Sequence, residues 1–492
     1  MGGGVKEVFW KKRINSRRWR LGIRLTGAVL LVVLGVSIYG FMKPLPPGVS
    51  YEGEIHTVDD MEFLYDLTYQ KNGESHQEQM IFDRMFEVIS EAEDFIVLDM
   101  FLFNQQYDQS MDFPSLSEQL VDTLVDKKQE NEDVEIVVIT DRINTFYGSY
   151  PADILTRLEE HDIPVFFSNM KPLRDSNPVY SGFYRTFIQW FGTQGQGWLP
   201  NAFSPDAPDV TVRSYLELLN FKANHRKTLI TENNGFVTSG NAHDASGYHS
   251  NIGFVFQGGI LEEMLETEQT VAEMAGADEA LFSSFETKSE PDSEDGKYEI
   301  QLLTEGKIEK HVLQEMNQTK PGGTITLGAF YLSDRDVIDG LLKASDRGVE
   351  VNVLLDANKD AFGREKNGIP NRPVAHELVT KTEGDINVRW YRTNGEQFHT
   401  KMIYMEQAEQ DVVIGGSSNF TKRNMGDFNL ETDVKITASS ETEVMAEVDQ
   451  YFEQLWTNDG QKYTEEYETY MDDSRFSYFL YRLQEWSGLS SF

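Results

Sequence analysis

The chain has 492 residues with 39% hydrophobic, 12% aromatic and 25% charged residues, close to the globular average, so disorder, collagen-like repetition and a polytopic membrane protein are excluded. It contains no cysteine, which removes disulfides, thiolate metal sites, iron–sulfur clusters and a cysteine nucleophile. The net charge of −37 sits badly with a polyphosphate backbone, so no nucleic-acid partner is expected.

Residues 1–24 form a basic segment: Lys6, Lys11, Lys12, Arg13, Arg17, Arg18, Arg20 and Arg24 stand against Glu7 alone. Residues 25–42 are uncharged and about long enough to cross a bilayer core, which predicts a transmembrane signal anchor. The basic flank precedes the span, placing the N-terminus in the cytoplasm and the rest outside a bacterial cell membrane. No A-x-A-type cleavage site follows, so the anchor is expected to stay. A proline-rich linker at 43–56 leaves the membrane.

Strand-like and helical runs then alternate, and they repeat. FIVLDMFLF (95–103) is echoed by ITLGAFYL (325–332), and VEIVVITD (134–141) by VEVNVLLD (349–356). Two halves follow, 57–283 and 299–457, joined by a polar acidic linker at 284–298. An aromatic-rich stretch, 180–191 with 197–200, fits either a loop packed on the domain or a surface resting on lipid headgroups. The tail, 458–492, carries Phe476, Phe479, Leu480, Leu483 and Trp486 at helical spacing, a stripe expected to dock on a domain.

The third echo carries chemistry. His225, Lys227 and Glu232 are followed by Asn241; His399, Lys401 and Glu406 are followed by Asn419. Of nine histidines only these two have lysine two positions on. On a strand, residues i and i+2 share a face, so each imidazole emerges beside an ammonium. If the halves face each other, two imidazoles, two ammoniums and two amides converge on a volume suited to one phosphate diester. One histidine can then attack phosphorus and form a covalent phosphohistidine while the other protonates the leaving alcohol. Lys227, Lys401, Asn241 and Asn419 would bind the phosphate oxygens. No metal and no cofactor are required. His376-Glu377 lacks the second histidine of a zinc-protease motif, and His243 and His249, near the first motif, are expected on the surface or in loops rather than as groups supporting the site.

With its two H-x-K-x4-E motifs the chain resembles the phospholipase D superfamily, in the layout of bacterial cardiolipin synthase-like phosphatidyltransferases, over roughly residues 57–457. The resemblance implies an α/β fold of two α/β/α sandwich halves sharing one active site. It implies His225 as nucleophile and His399 as general acid, with Glu232 and Glu406, where the family mostly has Asp, supporting the loop. Asn429-Leu430-Glu431 matches the family's downstream N-x-E, which implies that Glu431 orients His399. The first half has Asn251-Ile252-Gly253 in that place, leaving His225 to another group such as Asp244 or leaving that half impaired. The expected substrate is a membrane phospholipid, with water or an alcohol as acceptor; a superfamily nuclease and a catalytically impaired phosphate- or lipid-binding module are the rivals. Headgroup, acceptor and oligomeric state are not legible from the sequence.

Overall fold

The computed structural model describes residues 4–108, 112–288, 293, 296–361, 364–490 and 492. Residues 289–292, 294 and 295 of the expected acidic linker lie outside the described residues.

Two large sheets dominate. The first half contributes β2 (Met61–Tyr65), β3 (Phe95–Met100), β4 (Glu135–Thr140), β5 (Val165–Phe167), β6 (Lys227–Thr231), β7 (Gly235–Thr238) and β8 (Ile252–Phe256), in the order β2-β8-β7-β6-β3-β4-β5. The second contributes β9 (Tyr298–Thr304), β10 (Thr324–Ala329), β11 (Glu350–Asp356), β12 (Ile386–Tyr391), β13 (Lys401–Glu406), β14 (Asp411–Gly416) and β15 (Thr432–Ala438). Their order, β9-β15-β14-β13-β10-β11-β12, repeats that of the first sheet strand for strand. Two strands extend the second sheet at its edges: β1 (Glu52–Val58) beside β9 and β16 (Thr464–Glu466) beside β12. Residues 52–56, inside the expected exit linker, are therefore ordered by the second half, and so is the start of the tail.

Both repeated sequence runs are central strands. β3 pairs parallel with β4, and β10 with β11, while β6 and β13, the strands that follow the two histidines, run antiparallel to β3 and β10. Such strands, covered on both faces, must be apolar throughout, and β3 and β10 are buried along almost their whole length. One apolar cluster runs through both halves, joining Phe254 and Ile230 to Tyr404, Val434 and Tyr451. The halves therefore share a core.

The helix α1 (Gly4–Met42) is continuous from the basic segment through the apolar run, and Arg18–Met42 qualifies by length and hydropathy as a membrane span or signal sequence. Its last turns pack on α2 (Pro178–Phe187), the helix made by the aromatic-rich stretch. The tail forms α3 (Arg475–Ser487), and here the expected docking stripe is corrected. Tyr481 and Glu485 are the buried face, whereas Phe476, Phe479, Leu483 and Trp486 stay exposed and Leu480 is only half-buried. Polar anchoring decides the face: Glu485 accepts from the Ser333 hydroxyl and the Lys422 N–H, and the Tyr481 hydroxyl bonds Arg335.

Candidate active site

His225 and His399 stand immediately before β6 and β13, and the backbone there is swapped between halves. His225 N–H donates to Leu430 C=O at 2.8 Å, and His399 N–H donates to Ser250 C=O at 2.8 Å. Isolated parallel bridges, Asn224 with Leu430 and Ser250 with Phe398, frame the pair. Each histidine strand thus borrows its neighbour from the opposite half. Both imidazoles are nearly buried, at 8% and 5% exposure.

The Asp residues ending the repeated runs hold this geometry. Asp141 accepts from Asn224 N–H at 2.7 Å, and Asp356 accepts from Phe398 N–H at 2.8 Å, so each carboxylate fixes the residue just before a histidine. Phe101 and Phe330 do the same by packing: their ring centroids lie 4.8 and 5.0 Å from the imidazoles of His225 and His399. Lys227 Nζ sits 5.1 Å from the Phe101 ring and Lys401 Nζ 5.4 Å from the Phe330 ring. None of these four residues figured in the motif reading, although all lie at matching places of the repeated runs, the two Asp at their ends.

Glu431 corrects the sequence expectation. Its Oε2 accepts from His225 Nδ1 at 2.8 Å, not from His399, because the segment carrying it crosses to the first half. The Ser417 hydroxyl donates to the same oxygen at 2.6 Å, and Asn424 Nδ2 donates to Oε1. Burial alone would raise this carboxyl, but His225, Lys227 and Ser417 hold it below the ordinary glutamate range. A carboxylate only accepts, so the proton of His225 lies on Nδ1 and the Nε2 lone pair is free.

His399 has a different partner. Its Nδ1 donates to Asn251 Oδ1 at 3.1 Å, and the Asn251 amide is oriented by donating to His249 C=O at 3.1 Å. Hydrogen-bond register identifies Asn251, rather than Gly253, as the counterpart of Glu431, and Gly253 as that of Asp433. Ser239 Oγ accepts from Ile252 N–H as Ser417 Oγ accepts from Thr432 N–H, and Gly253 pairs with Thr238 as Asp433 pairs with Gly416. His249 then matches Asn429: its Nδ1 accepts from Gln397 N–H just as Asn429 Oδ1 accepts from Ala223 N–H. His243 and His249 are accordingly buried rather than at the surface. Asp244 is not an orienting group for His225, since its Oδ1 accepts from the Ser117 hydroxyl and N–H.

Lys227 and Lys401 are wholly buried, and each ammonium donates to the carbonyl of its own histidine, at 2.7 and 2.8 Å. Asn241 and Asn419 are buried with amide oxygens that have no hydrogen-bond partner. Two lysines, each with donors beyond its one hydrogen bond, and two asparagine amides accompany the imidazoles, and burial shifts the titration of the group. Burial lowers Lys227 to about 7 against the pull of Glu431, Asp99 and Asp433, and burial together with Lys227 holds Lys401 well below its ordinary value. Burial lowers His225 to about 4 despite Glu431, with Lys227 and Lys401 adding to the depression. Burial, Lys401, His249, Lys227 and His225 hold His399 well below its usual range. The charges of each half therefore act on the imidazole of the other, the signature of one shared site.

The remaining motif residues lie behind the strands. Glu232 is buried and accepts from the backbone N–H of Glu93 at 2.8 Å and of Asp94 at 3.3 Å; Glu406 is half-buried at the far end of β13. Arg226, facing away from its neighbour histidine, is buried against Glu305 at 2.9 Å, and Glu305 in turn accepts from Glu431 N–H at 3.1 Å.

Residues 312–456 match the family model described as cardiolipin synthase, PLD-like domain. The structure is similar to that of phosphatidylserine synthase from Haemophilus influenzae Rd KW20, with a TM-score of 0.58 and 9% identity over 88% of this chain and 94% of that one. Polyphosphate kinase from Porphyromonas gingivalis aligns at a TM-score of 0.42 and 12% identity over 87% of this chain and 53% of that one. Nuc, a phospholipase D family member from Salmonella typhimurium, aligns at 0.27 and 19% over 33% of this chain and 95% of that one. No match was found among curated proteins. Residues 312–456 thus match the model of a cardiolipin synthase, PLD-like domain, and the chain as a whole shares the fold of the phosphatidylserine synthase structure.

Proposed function

We propose that the protein is a membrane-anchored phosphodiesterase or phosphatidyltransferase that acts on phospholipids through a covalent phosphohistidine. The observation that carries this reading is the inequivalent pairing of two imidazoles beside two buried, underused ammoniums. His225 Nε2 attacks phosphorus; the P–O bond to the leaving alcohol breaks, and His399 supplies the proton to that oxygen. Water or an acceptor alcohol then gives its proton to His399 and attacks phosphorus, and the N–P bond breaks, restoring His225. When Nε2 bonds phosphorus the ring becomes cationic, and only His225 has a carboxylate, Glu431, to offset that charge. His399, held by the neutral Asn251, makes the stronger acid once the bound phosphate anion lets it take its second proton. Lys227, Lys401, Asn241 and Asn419 bind the non-bridging oxygens and stabilise the charge that grows there.

The apolar length of α1 supports a span and the lack of an A-x-A-type site an uncleaved one, with the basic N-terminal flank in the cytoplasm and the catalytic body on the other side of a bacterial membrane. Such an anchor holds the site at high effective concentration of its substrate. The test uses purified full-length protein in mixed micelles, with lipid products followed by mass. Release of phosphatidic acid or formation of a transfer product is expected, together with an acid-labile phosphorylated protein. Unchanged turnover in both His225→Ala and His399→Ala would reject the mechanism.

A further inference from the structure

α2 lies against the end of the apolar run of α1, where both backbones come unusually close. From Val33 onward α1 loses exposure at Val33, Val36, Ser37 and Gly40, one face of the helix, and Lys43 just beyond it is buried. A methyl group added to Gly182 of α2 would stand 2.0 Å from Ser37 Oγ, and one added to Gly40 would stand 2.0 Å from Asp175 Oδ2 just before α2. Ser37 keeps its hydroxyl satisfied within α1 by donating to Val33 C=O at 2.8 Å. Small residues that let two helices touch are how helices associate in lipid, where apolar burial supplies no drive.

Depth follows from length. The uncharged run 25–42 amounts to about 27 Å of helix, against a hydrocarbon core of about 30 Å, so no turn of it can be spared from the bilayer. Ser37 and Gly40 must then lie within the leaflet on the catalytic side, and α2, which packs on them, lies there too. Gly40 meets Asp175 while Ser37, deeper, meets Gly182, so α2 descends as its sequence proceeds. Its outer face is apolar: Val179, Phe183 and Phe187 recur every fourth residue and are exposed, and Trp190 and Phe191 just beyond are 73% and 70% exposed. Its polar groups turn away from that face. Arg185 reaches back to Asp175 at 2.8 Å, and the Tyr180 hydroxyl donates to Leu216 C=O at 2.6 Å.

We infer that α2 and the turn after it, residues 178–191, are a half-immersed helix whose partner is the acyl region of the phospholipid leaflet on the catalytic side, with Trp190 and Phe191 at its deepest point. The inference rests on the reading of α1 as a membrane span. Tyr184, Arg185 and Gln189 of this segment line one cavity with Lys222, three residues before His225, so substrate would enter from beside this helix.

The cysteine-free chain permits a direct measurement. Leu30→Cys, Trp190→Cys and Phe191→Cys are each spin-labelled in the full-length protein, which is reconstituted into vesicles of phosphatidylcholine and phosphatidylglycerol. Relaxation by oxygen is compared with relaxation by a water-soluble nickel chelate. All three labels are expected to favour oxygen by several fold. If Leu30 favours oxygen while 190 and 191 favour nickel, the immersed helix is wrong and the anchor stands. If Leu30 favours nickel, the anchor reading itself fails and takes the inference with it. Shielding of 190 and 191 from both reagents would assign the face to a protein partner and overturn the proposal.

Discussion

The two halves present the same imidazole, ammonium, amide and aromatic ring, yet they differ in what holds the ring: Glu431 holds His225, whereas Asn251 holds His399. Fold symmetry thus delivers two like imidazoles, and the amide-for-carboxylate difference sets them apart. In the proposed mechanism the charged partner favours the ring that becomes cationic through a bond to phosphorus, and the neutral partner favours the ring that gives a proton away.

Removing either ring is the severest way to break the comparison, and the two removals should fail differently. His225→Ala should lose adduct formation altogether, with turnover down by more than about 10³-fold. His399→Ala should lose about 10²- to 10⁴-fold with a natural lipid, yet still give a burst with a p-nitrophenyl phosphodiester, whose leaving group needs no proton. A burst in His225→Ala and none in His399→Ala would reverse the assignment. Exchanging the partners comes next. Glu431→Gln should cost about 10- to 100-fold, the worth of a charged hydrogen bond, and Asn251→Ala only about 3- to 10-fold. Asn251→Asp should raise the pKa of His399, the proton donor of the first step, and move the alkaline limb of the kcat/KM profile upward, which stopped assays across pH 5–10 would show.

The doublet of motifs, the repeat and the α/β class were all legible, because each depends on local periodicity or on identity at fixed spacing. The crossing of Glu431 was not. Matching Asn251-Ile252-Gly253 to Asn429-Leu430-Glu431 by letters gives a gap, whereas the hydrogen-bond register places His249-Ser250-Asn251 opposite Asn429-Leu430-Glu431. Strand pairing within each half fixes that register and the exchange of segments between halves fixes which histidine Glu431 meets, and neither leaves a mark on periodicity. The tail was misjudged for a related reason: α3 has aromatics on both faces, and buried hydrogen bonds at Tyr481 and Glu485, rather than apolar content, choose the docked one.

Charge offers a gentler probe of the shared centre. Lys227 sits at about 7 without a ligand, so at pH 8 it is largely neutral. A bound oxyanion favours its protonated form, and binding should therefore take up on the order of one proton at pH 8. Titration calorimetry with tungstate in buffers of different ionisation enthalpy reads this number directly. The sign sets the pH dependence: anion affinity should fall as pH rises above about 7, and a flat profile between 7 and 9 would show the lysine to be charged throughout.

The smallest expected effect separates the two acids that follow the motifs, which look alike in sequence and differ in setting. Glu232 is buried and accepts two backbone N–H groups at the turn before β3, so Glu232→Gln leaves a buried site less well paired. That change should cost about 1–2 kcal/mol of stability with turnover of the folded enzyme unchanged. Glu406 is half-buried, and burial already raises its carboxyl toward the neutral form, so Glu406→Gln should stay within about 0.5 kcal/mol. Equal thermal midpoints for the two variants would show that the buried N–H contacts of Glu232 carry no net weight. A loss of turnover in Glu232→Gln without unfolding would instead mean that the turn it ties reaches His225 along β6.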